Sequence, residues 1–295
     1  MKIIRNPKKL HDLLEQERSR GKSVGFVPTM GALHKGHLSL VRGSNRENDI
    51  TVVSIFVNPT QFGPKEDYTK YPRVLGADSE MLRRTGTDYL FCPAVGAMYP
   101  EGLAKPRKIK GAKWPRLAKG LCGKFRPGHF QGVVTVVAKL LGITGACWLY
   151  LGAKDYQQVA VICQMVKDLG MDVKVRMLPT VRERDGLAMS SRNRYLSRAD
   201  RRRAVAISRT LFEFCAGVLR KKMSLQKLKV QAVRGLTENV DLLQYFAVVD
   251  PVTLVPLKGS RRPMAVLTAC FVGKTRLIDN VIIPAQSFSR GAKSL

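Results

Sequence analysis

Acidic residues and histidines are scarce in this sequence of 295 residues. Asp and Glu number 22 against 51 Lys and Arg, which gives a formal net charge of +29, and four histidines occur. Such an excess usually points to nucleic acid or another anionic partner. The basic residues are spread along the chain, and their clusters at 105–113 and 198–203 lack the interleaved aromatic side chains of a base-stacking surface. We therefore expect no nucleic-acid partner and ascribe part of the charge to steering of anionic substrates.

Paired cysteines and long hydrophobic runs are also missing. The six cysteines are widely spaced and form no C-x-x-C motif, which leaves a disulfide scaffold and a zinc site unsupported and fits reduced thiols. The most apolar window, residues 132–153, is interrupted by Lys139, Gly142 and Gly145, so it predicts a helix followed by a strand and not a membrane span. The first 22 residues have no apolar core of signal-peptide length. We expect a cytoplasmic protein without membrane contact.

Residues 1–180 alternate short apolar runs with helical patterns. Strands are predicted at 24–27, 49–57, 88–91, 147–151 and 173–178, and the nearly all-apolar run at 49–57 is typical of a parallel strand covered on both faces. Helices are predicted between them. Alternation of this kind predicts an α/β fold with a doubly wound, Rossmann-like parallel sheet.

Residues 181–295 follow a different pattern. A polar loop leads into two predicted helices at 198–221 and 224–238, and three predicted strands follow at 243–249, 264–272 and 275–283. Runs of helix and then strand indicate a separate α+β unit. The sequence thus predicts a Rossmann-like nucleotide- and substrate-binding domain at 1–180 and a smaller α+β C-terminal lid domain at 181–295.

The stretch VGFVPTMGALHKGHL, residues 24–38, carries the strongest chemical signal. It leaves a predicted strand, turns at Gly31, and places His34 and His37 at a helix start. Their i, i+3 spacing puts both imidazoles on one face of the helix. Backbone N–H groups at a helix N-terminus favour anions, and imidazoles add donors that need no full charge. The stretch is therefore a candidate triphosphate site, although each histidine alone is equally consistent with an ordinary turn residue.

Two further clusters follow predicted strands or precede predicted helices. Asn58 and Gln61 lie in the loop NPTQFG, where amides that donate and accept hydrogen bonds suit a carboxylate or hydroxyl of a small substrate. Arg126 and His129 lie in RPGHF, just before an apolar helix. A turn-forming role explains the first cluster equally well, and a helix-capping loop explains the second.

Two other segments offer cations and hydroxyls. In GAKDYQQ, residues 152–158, Lys154 is a point charge suited to a phosphate and Asp155 is a plausible N-cap or ribose contact. In MSSRN, residues 189–193, Ser190, Ser191 and Arg192 form a polar loop that can close over a triphosphate. Taken alone, the second segment is an unremarkable surface loop.

These five motifs, in this order, resemble the pantothenate synthetase (pantoate–β-alanine ligase) family of the HxGH nucleotidyl-transferring superfamily. The resemblance runs from residue 24 to about Asn280. It implies an ATP-dependent ligase that joins pantoate and β-alanine to pantothenate through a pantoyl-adenylate intermediate, releasing pyrophosphate and AMP. It also implies Mg²⁺ as the companion of ATP and a homodimer. The chain departs from the family pattern at Cys122 and Ala153, where glutamate is expected or frequent.

The resemblance assigns roles to individual residues. His34, His37 and Lys154 are the implied catalytic residues. The implied ATP contacts are Met30, His34, His37, Gly152, Lys154, Asp155, Met189, Ser190, Ser191 and Arg192. Gln61 and Gln158, with Asn58, Arg126 and His129, are the implied pantoate and β-alanine contacts. Asp78 matches an acidic position near the metal ion.

Two alternatives remain at this point. A different nucleotidyl transferase would use the same histidine pair on another substrate but would lack the amides of NPTQF and GxKDxQQ. A basic nucleic-acid-binding protein that has lost catalysis would bind DNA or RNA with a steep salt dependence and would not exchange pyrophosphate with ATP.

Overall fold

The computed structural model describes residues 1–64, 66–103, 111–221, 223–260 and 262–285. The chain forms two compact units, Met1–Glu183 with Ala188–Asn193, and Arg184–Leu187 with Arg194–Leu295. The sequence predicts the domain boundary near Thr180. The segment Ala188–Asn193, which follows that point, still belongs to the first unit. Most of the basic cluster at 105–113, as far as residue 110, lies outside the described residues.

The first unit is built around a six-stranded sheet with helices. Its elements are β1 (Lys2–Ile4), α1 (Pro7–Ser19), β2 (Val24–Thr29), α2 (Lys35–Glu47), β3 (Ile50–Ile55), α3 (Leu75–Arg84), β4 (Tyr89–Phe91), α4 (Val95–Met98), α5 (Trp114–Ala118), α6 (Cys122–Phe125), α7 (His129–Thr144), β5 (Cys147–Gly152), α8 (Tyr156–Asp168) and β6 (Val173–Leu178). The strand order is β1-β4-β3-β2-β5-β6, and neighbouring strands pair in parallel. This confirms the predicted doubly wound sheet, to which the unpredicted β1 is added at one edge.

The strand order reverses at β2, which lies between β3 and β5. β2 aligns with β3 from Val24 opposite Ile50, and with β5 at Gly25 opposite Trp148. Where a parallel sheet is wound in opposite directions from two adjacent strands, the connections diverge and leave a crevice at the strands' carboxyl ends. The segments that follow β2 and β5 carry His34 and Lys154, so the topology brings these two motifs to one crevice.

The segment predicted to be irregular, residues 105–127, contains two short helices among its described residues. Asp168 holds the start of α5, because one carboxylate oxygen accepts the backbone N–H groups of Lys113 and Trp114 at 2.8 and 2.9 Å. Gln157 holds the connection to α6, since its amide accepts from the Cys122 N–H and donates to the carbonyls of Leu117 and Gly120. Long-range side-chain bonds of this kind leave no local signal in the sequence.

The second unit combines two helices with a three-stranded antiparallel sheet, as predicted. Its elements are α9 (Arg198–Arg220), α10 (Leu225–Thr237), β7 (Leu242–Val249), β8 (Met264–Val272) and β9 (Thr275–Ile283), and the strand order is β7-β8-β9. Ser197 and Ser224 cap the two helices through their hydroxyls. The apolar side of α9, which includes Leu211 and Phe214, packs with Phe246 and Val266 in one core. Within the ranges that the structure describes, no helix is long and apolar enough to cross a membrane.

Helix α7 approaches the short 3₁₀ turn Pro59–Gln61 closely at Gly132. A Cβ atom added at Gly132 would lie 2.2 Å from the Thr60 carbonyl oxygen and 2.7 Å from the Gln61 Cα. Both are backbone atoms, which cannot rotate out of the way. Glycine at position 132 therefore allows the loop that carries Gln61 to lie this close to α7.

We predict that Gly132→Ala lowers the free energy of unfolding by about 1–3 kcal/mol, the usual effect of overpacking. Gly142→Ala, on the same helix, meets no atom within 4 Å and should be neutral or stabilising by up to about 1 kcal/mol, since alanine favours helix. Urea unfolding of both variants measures the difference. Equal stability of the two variants would show that the close approach at Gly132 is not a constraint.

Candidate active site

The turn between β2 and α2 is held by a buried carboxylate from α3. Asp78 is 1% exposed, and its two oxygens accept the backbone N–H groups of Ala32 and Leu33, each at 2.8 Å. Ala32 adopts a left-handed conformation with φ of 50°, which is unfavourable for a residue with a side chain. Two charge-assisted bonds to consecutive N–H groups hold this turn and so fix where the next helix begins.

His34 and His37 cap that helix reciprocally. The His34 ring accepts the Gly36 N–H at 3.1 Å through Nδ1, and the His37 ring accepts the His34 N–H at 3.3 Å through Nδ1. The two ring centroids are 4.0 Å apart. Because Nδ1 is the acceptor in both rings, the neutral form of each ring carries its proton on Nε2. The helix start thus presents two imidazole N–H donors.

The His37 ring stays neutral over the physiological range. Burial, followed by the nearby His34 and Lys154, lowers the pKa of His37 to about 3. A neutral imidazole donates a hydrogen bond without the desolvation cost of a buried charge. His37 is therefore suited to bind phosphate oxygens as a donor at neutral pH.

The segment after β5 adds a cation to this side of the crevice. Lys154 lies in the short 3₁₀ turn Ala153–Asp155, its side chain is 19% exposed, and its ammonium lies 3.7 Å from the Asp155 carboxylate. The two glutamines that follow in α8 point in different directions. Gln158 lines the cavity. Gln157 is buried, and its amide is hydrogen-bonded to the connection before α6.

The segment 188–193 folds back onto the first unit. The Ser191 hydroxyl donates to the Ala32 carbonyl at 3.0 Å, and the Met189 N–H donates to the Val181 carbonyl at 3.0 Å. Arg192 forms a bidentate ion pair with Asp67, with distances of 3.1 and 2.7 Å. The loop predicted to contact a triphosphate is thus tied to the histidine turn, and its guanidinium is paired with a carboxylate.

Amides also line the cavity. Gln61 is 9% exposed, its Nε2 donates to the Met30 sulfur at 2.8 Å, and its Oε1 accepts from Asn58 at 3.3 Å. Asn58 is 1% exposed and also donates to the Gly132 carbonyl. These uncharged amides can therefore hydrogen-bond a small polar ligand.

Arg126 and His129 support the Gln61 backbone. Arg126 pairs with Glu66, with Nε 2.6 Å from one carboxylate oxygen, and its guanidinium donates to His129 Nε2 at 2.9 Å. His129 Nδ1 donates to the Gln61 carbonyl at 2.8 Å. Burial, and then the Arg126 charge, lower the pKa of His129 to about 4, so the ring is neutral. Both side chains line the cavity, but their polar atoms bind protein groups.

One cavity brings together all but one of the site residues predicted from the sequence. Those lining it are Met30, His34, His37, Asn58, Gln61, Arg126, His129, Gly152, Lys154, Asp155, Gln158, Met189, Ser190, Ser191 and Arg192. Asp78 does not line it. Sequence reasoning missed the apolar wall formed by Val133, Val136, Val137 and Leu140, although their i, i+3, i+4, i+7 spacing marks one helix face.

Clustered metal ligands are missing from the part of the chain that the structure describes. Among those residues, no group of three or more His, Cys, Asp or Glu side chains is placed to hold a metal ion. Both oxygens of Asp78 accept backbone N–H groups. The described protein groups thus do not form a metal cage of their own.

Comparison with known sequences identifies relatives over nearly the whole chain. The family model described as Pantoate-beta-alanine ligase matches residues 2–282. A pantothenate synthetase from Sulfurihydrogenibium sp. (strain YO3AOP1) is 46% identical over 285 residues, covering 95% of this chain and 99% of the relative. Another from Thermodesulfovibrio yellowstonii is 46% identical over 284 residues, covering 96% and 100%.

Solved structures agree with the sequence relatives. The crystal structure of pantothenate synthetase from Thermus thermophilus matches with a TM-score of 0.88 and 43% identity, covering 95% of this chain and 99% of that one. Pantoate-beta-alanine ligase from Francisella tularensis, complexed with beta-gamma ATP and beta-alanine, matches with a TM-score of 0.76 and 38% identity, covering 96% and 97%. Both structural matches extend over the two units of the chain.

We predict that His37 does not titrate between pH 5 and 8, because its pKa lies near 3. NMR of protein labelled with ¹⁵N-histidine tests this, with His37→Gln used to assign the signal among four histidines. Between pH 6.5 and 3 the unfolded imidazole binds a proton that the folded one does not, so His37 makes the fold less stable as the pH falls. At pH 5 this amounts to on the order of 1 kcal/mol, allowing for the partial exposure of the ring. A midpoint near 6.5 would contradict the assignment.

We also predict that Asp78→Asn destabilises the protein by roughly 1–3 kcal/mol, because the amide NH₂ then faces a buried N–H donor. ATP binding should weaken, while its dependence on Mg²⁺ concentration should not change. Asp168→Asn, which alters a similar pair of backbone contacts away from the cavity, is the matched control and should leave ATP binding unaffected. Calorimetric titration at several Mg²⁺ concentrations makes the comparison. If ATP binding by Asp78→Asn, and not by Asp168→Asn, needed a higher Mg²⁺ concentration, Asp78 would have the metal-binding role that the family resemblance implies.

Proposed function

This chain belongs to the pantoate-beta-alanine ligase family, and from that membership we propose that it joins pantoate and β-alanine to pantothenate at the expense of ATP. The observation that supports this most is the composition of a single cavity. Its lining includes imidazole and ammonium donors as well as neutral amides. The donors suit a triphosphate, and the amides suit a small hydroxy acid.

The proposed reaction has two steps. A carboxylate oxygen of pantoate attacks the α-phosphorus of ATP, the bond from that phosphorus to the bridging oxygen breaks, and pyrophosphate leaves. The amine of β-alanine then attacks the acyl carbon of pantoyl adenylate, loses a proton, and displaces AMP. Neither step needs a nucleophile from the protein, which supplies orientation and charge stabilisation.

The phosphate-binding roles follow from the donors. His34, His37 and Lys154 would bind the triphosphate and stabilise the charge that develops on it, with Ser190 and Ser191 close by. Met30, Gly152, Asp155 and Met189 would contact the rest of the nucleotide. Arg192 would exchange its Asp67 partner for a phosphate, since both offer oxygens in a geometry that suits its planar fork. The bidentate pair with Asp67 supports this role because it holds the guanidinium at the cavity.

The substrate-binding roles follow from the amides. Gln61 and Gln158 would bind pantoate by direct hydrogen bonds. Asn58 and His129 would act mainly by positioning Gln61, which their bonds to its side chain and backbone support. Arg126 would keep its charge near the pantoate carboxylate while paired with Glu66.

Mg²⁺ would enter with ATP. The described side chains offer no three-ligand cluster, so the ion would be held chiefly by phosphate oxygens and water, as is common for this metal. The family resemblance places Asp78 near the ion, and in this structure each of its two oxygens accepts a backbone N–H. We further propose a cytoplasmic homodimer with no nucleic-acid partner, on the strength of the family resemblance.

A transferase acting on a mononucleotide is the alternative function of this histidine motif. The paired amides Asn58 and Gln61, together with Gln158, favour pantoate, because they offer uncharged donors and acceptors for a carboxylate and hydroxyls. The net charge of +29 would fit a nucleic-acid-binding role, but the basic clusters lack the interleaved aromatic side chains of a base-stacking surface.

We predict pantoate-dependent exchange of labelled pyrophosphate into ATP in the absence of β-alanine. Lys154→Ala should slow this exchange about 10²–10³-fold, the usual effect of removing one transition-state donor. Lys167→Ala, at the exposed end of α8, is the matched control and should exchange at the normal rate. A requirement for β-alanine would contradict the adenylate mechanism, and normal exchange in Lys154→Ala would remove that residue from the catalytic set.

A further inference from the structure

The side chain of Asn58 lies at the centre of a buried hydrogen-bond cluster beside the cavity. Its oxygen accepts from the Tyr99 hydroxyl at 2.7 Å, from the Thr60 hydroxyl at 3.1 Å and from the Thr60 N–H at 3.4 Å. Its nitrogen donates to the Gly132 carbonyl at 3.2 Å and to Gln61 Oε1 at 3.3 Å. Asn58 is 1% exposed and Tyr99 is 6% exposed.

These partners allow only one orientation of the Asn58 amide. A backbone N–H can only donate and a backbone carbonyl can only accept. The oxygen of Asn58 must therefore face the Thr60 N–H, and its nitrogen must face the Gly132 carbonyl. The reversed amide would set a donor against a donor and an acceptor against an acceptor in a buried site, which is costly.

The orientation of Asn58 determines the orientation of Gln61. Because the Asn58 nitrogen donates to Gln61 Oε1, the Gln61 amide directs its NH₂ group to the other side, where it meets the Met30 sulfur at the cavity wall. A thioether sulfur is a weak acceptor, so a ligand oxygen would be a better partner for this NH₂ group. Gln61 is thus set to act as a hydrogen-bond donor.

Tyr99 supplies the shortest of these bonds and ties them to a distant part of the chain. Thr60 is two residues from Asn58 and moves with the same loop, whereas Tyr99 follows α4 and lies 41 residues away. Its ring lies 6.2 Å from that of Phe56, and the Lys139 ammonium lies 5.4 Å from the ring centroid. Burial raises the pKa of the Tyr99 phenol, so the hydroxyl remains a donor across the working pH range.

We propose that Tyr99 is a positioning residue for pantoate: through Asn58 it holds the Gln61 amide with its NH₂ group toward an acceptor oxygen of the substrate. The inference rests on the proposed function, because it takes Gln61 as a pantoate contact. Tyr99 itself does not line the cavity, so it acts through Asn58 and Gln61 and not by touching the substrate.

The test is a double-mutant cycle on pantoate-dependent pyrophosphate exchange. Tyr99→Phe removes the hydroxyl and keeps the ring, and it should raise the KM for pantoate about 3- to 10-fold, the effect of one lost hydrogen bond. The KM for ATP and kcat should stay within about twofold of the unmodified protein, as expected for a loss of uniform binding. In a Gln61→Ala background the same substitution should change the KM for pantoate by less than about twofold, because the group on which it acts is gone.

Tyr89→Phe is the matched control. Its hydroxyl also donates a side-chain hydrogen bond, to Glu17 at 3.1 Å. Tyr89 lies on β4, is as buried as Tyr99, and likewise does not line the cavity. It should leave the KM for pantoate unchanged. Thermal unfolding of both variants shows whether either loses structure.

The outcomes separate the inference from the function on which it rests. An unchanged KM for pantoate in Tyr99→Phe, or an equal increase in the presence and absence of Gln61, would overturn the positioning role while leaving the ligase function intact. Absence of pantoate-dependent exchange in the unmodified protein would overturn the proposed function and the inference together.

Discussion

The buried carboxylate of Asp78, which accepts two consecutive backbone N–H groups, is the interaction on which the candidate site depends. It stabilises Ala32 in a conformation that this residue disfavours, just before α2 begins. His34 is the N-cap of that helix and His37 follows three residues later, so that each ring accepts a backbone N–H. A carboxylate outside the cavity thus sets the geometry of the donors inside it.

The same site depends on burial to keep its donors neutral. Burial, followed by the nearby His34 and Lys154, lowers the pKa of His37 to about 3, and burial with the Arg126 charge lowers that of His129 to about 4. Neutral rings have one donor and one acceptor, so a bond to one nitrogen decides what the other can do. The result is one cavity that holds both oriented donors suited to phosphate oxygens and neutral amides.

Much of this arrangement was predictable from the sequence. The alternation of strands and helices predicts the parallel sheet, and the family resemblance implies that His34 and Lys154 contact the same triphosphate. What could not be predicted rests on contacts between distant residues. β1 is only three residues long, which is too short for a clear pattern. The hydrogen bond between Gln157 and the Cys122 N–H leaves no periodic signal in the sequence. Gln157 and Gln158 are adjacent and chemically identical, so only the helix geometry separates the structural amide from the one at the cavity.

In the proposed reaction, this cavity aligns a pantoate carboxylate with the α-phosphorus of ATP. Pantoate labelled with ¹⁸O in its carboxylate tests this directly, because the attacking oxygen bonds to phosphorus and leaves with AMP in the second step. Mass spectrometry of the products of complete turnover should find one ¹⁸O atom in each AMP. AMP without the label, or label in released phosphate, would mean that the carboxylate is activated in another way and would contradict the account.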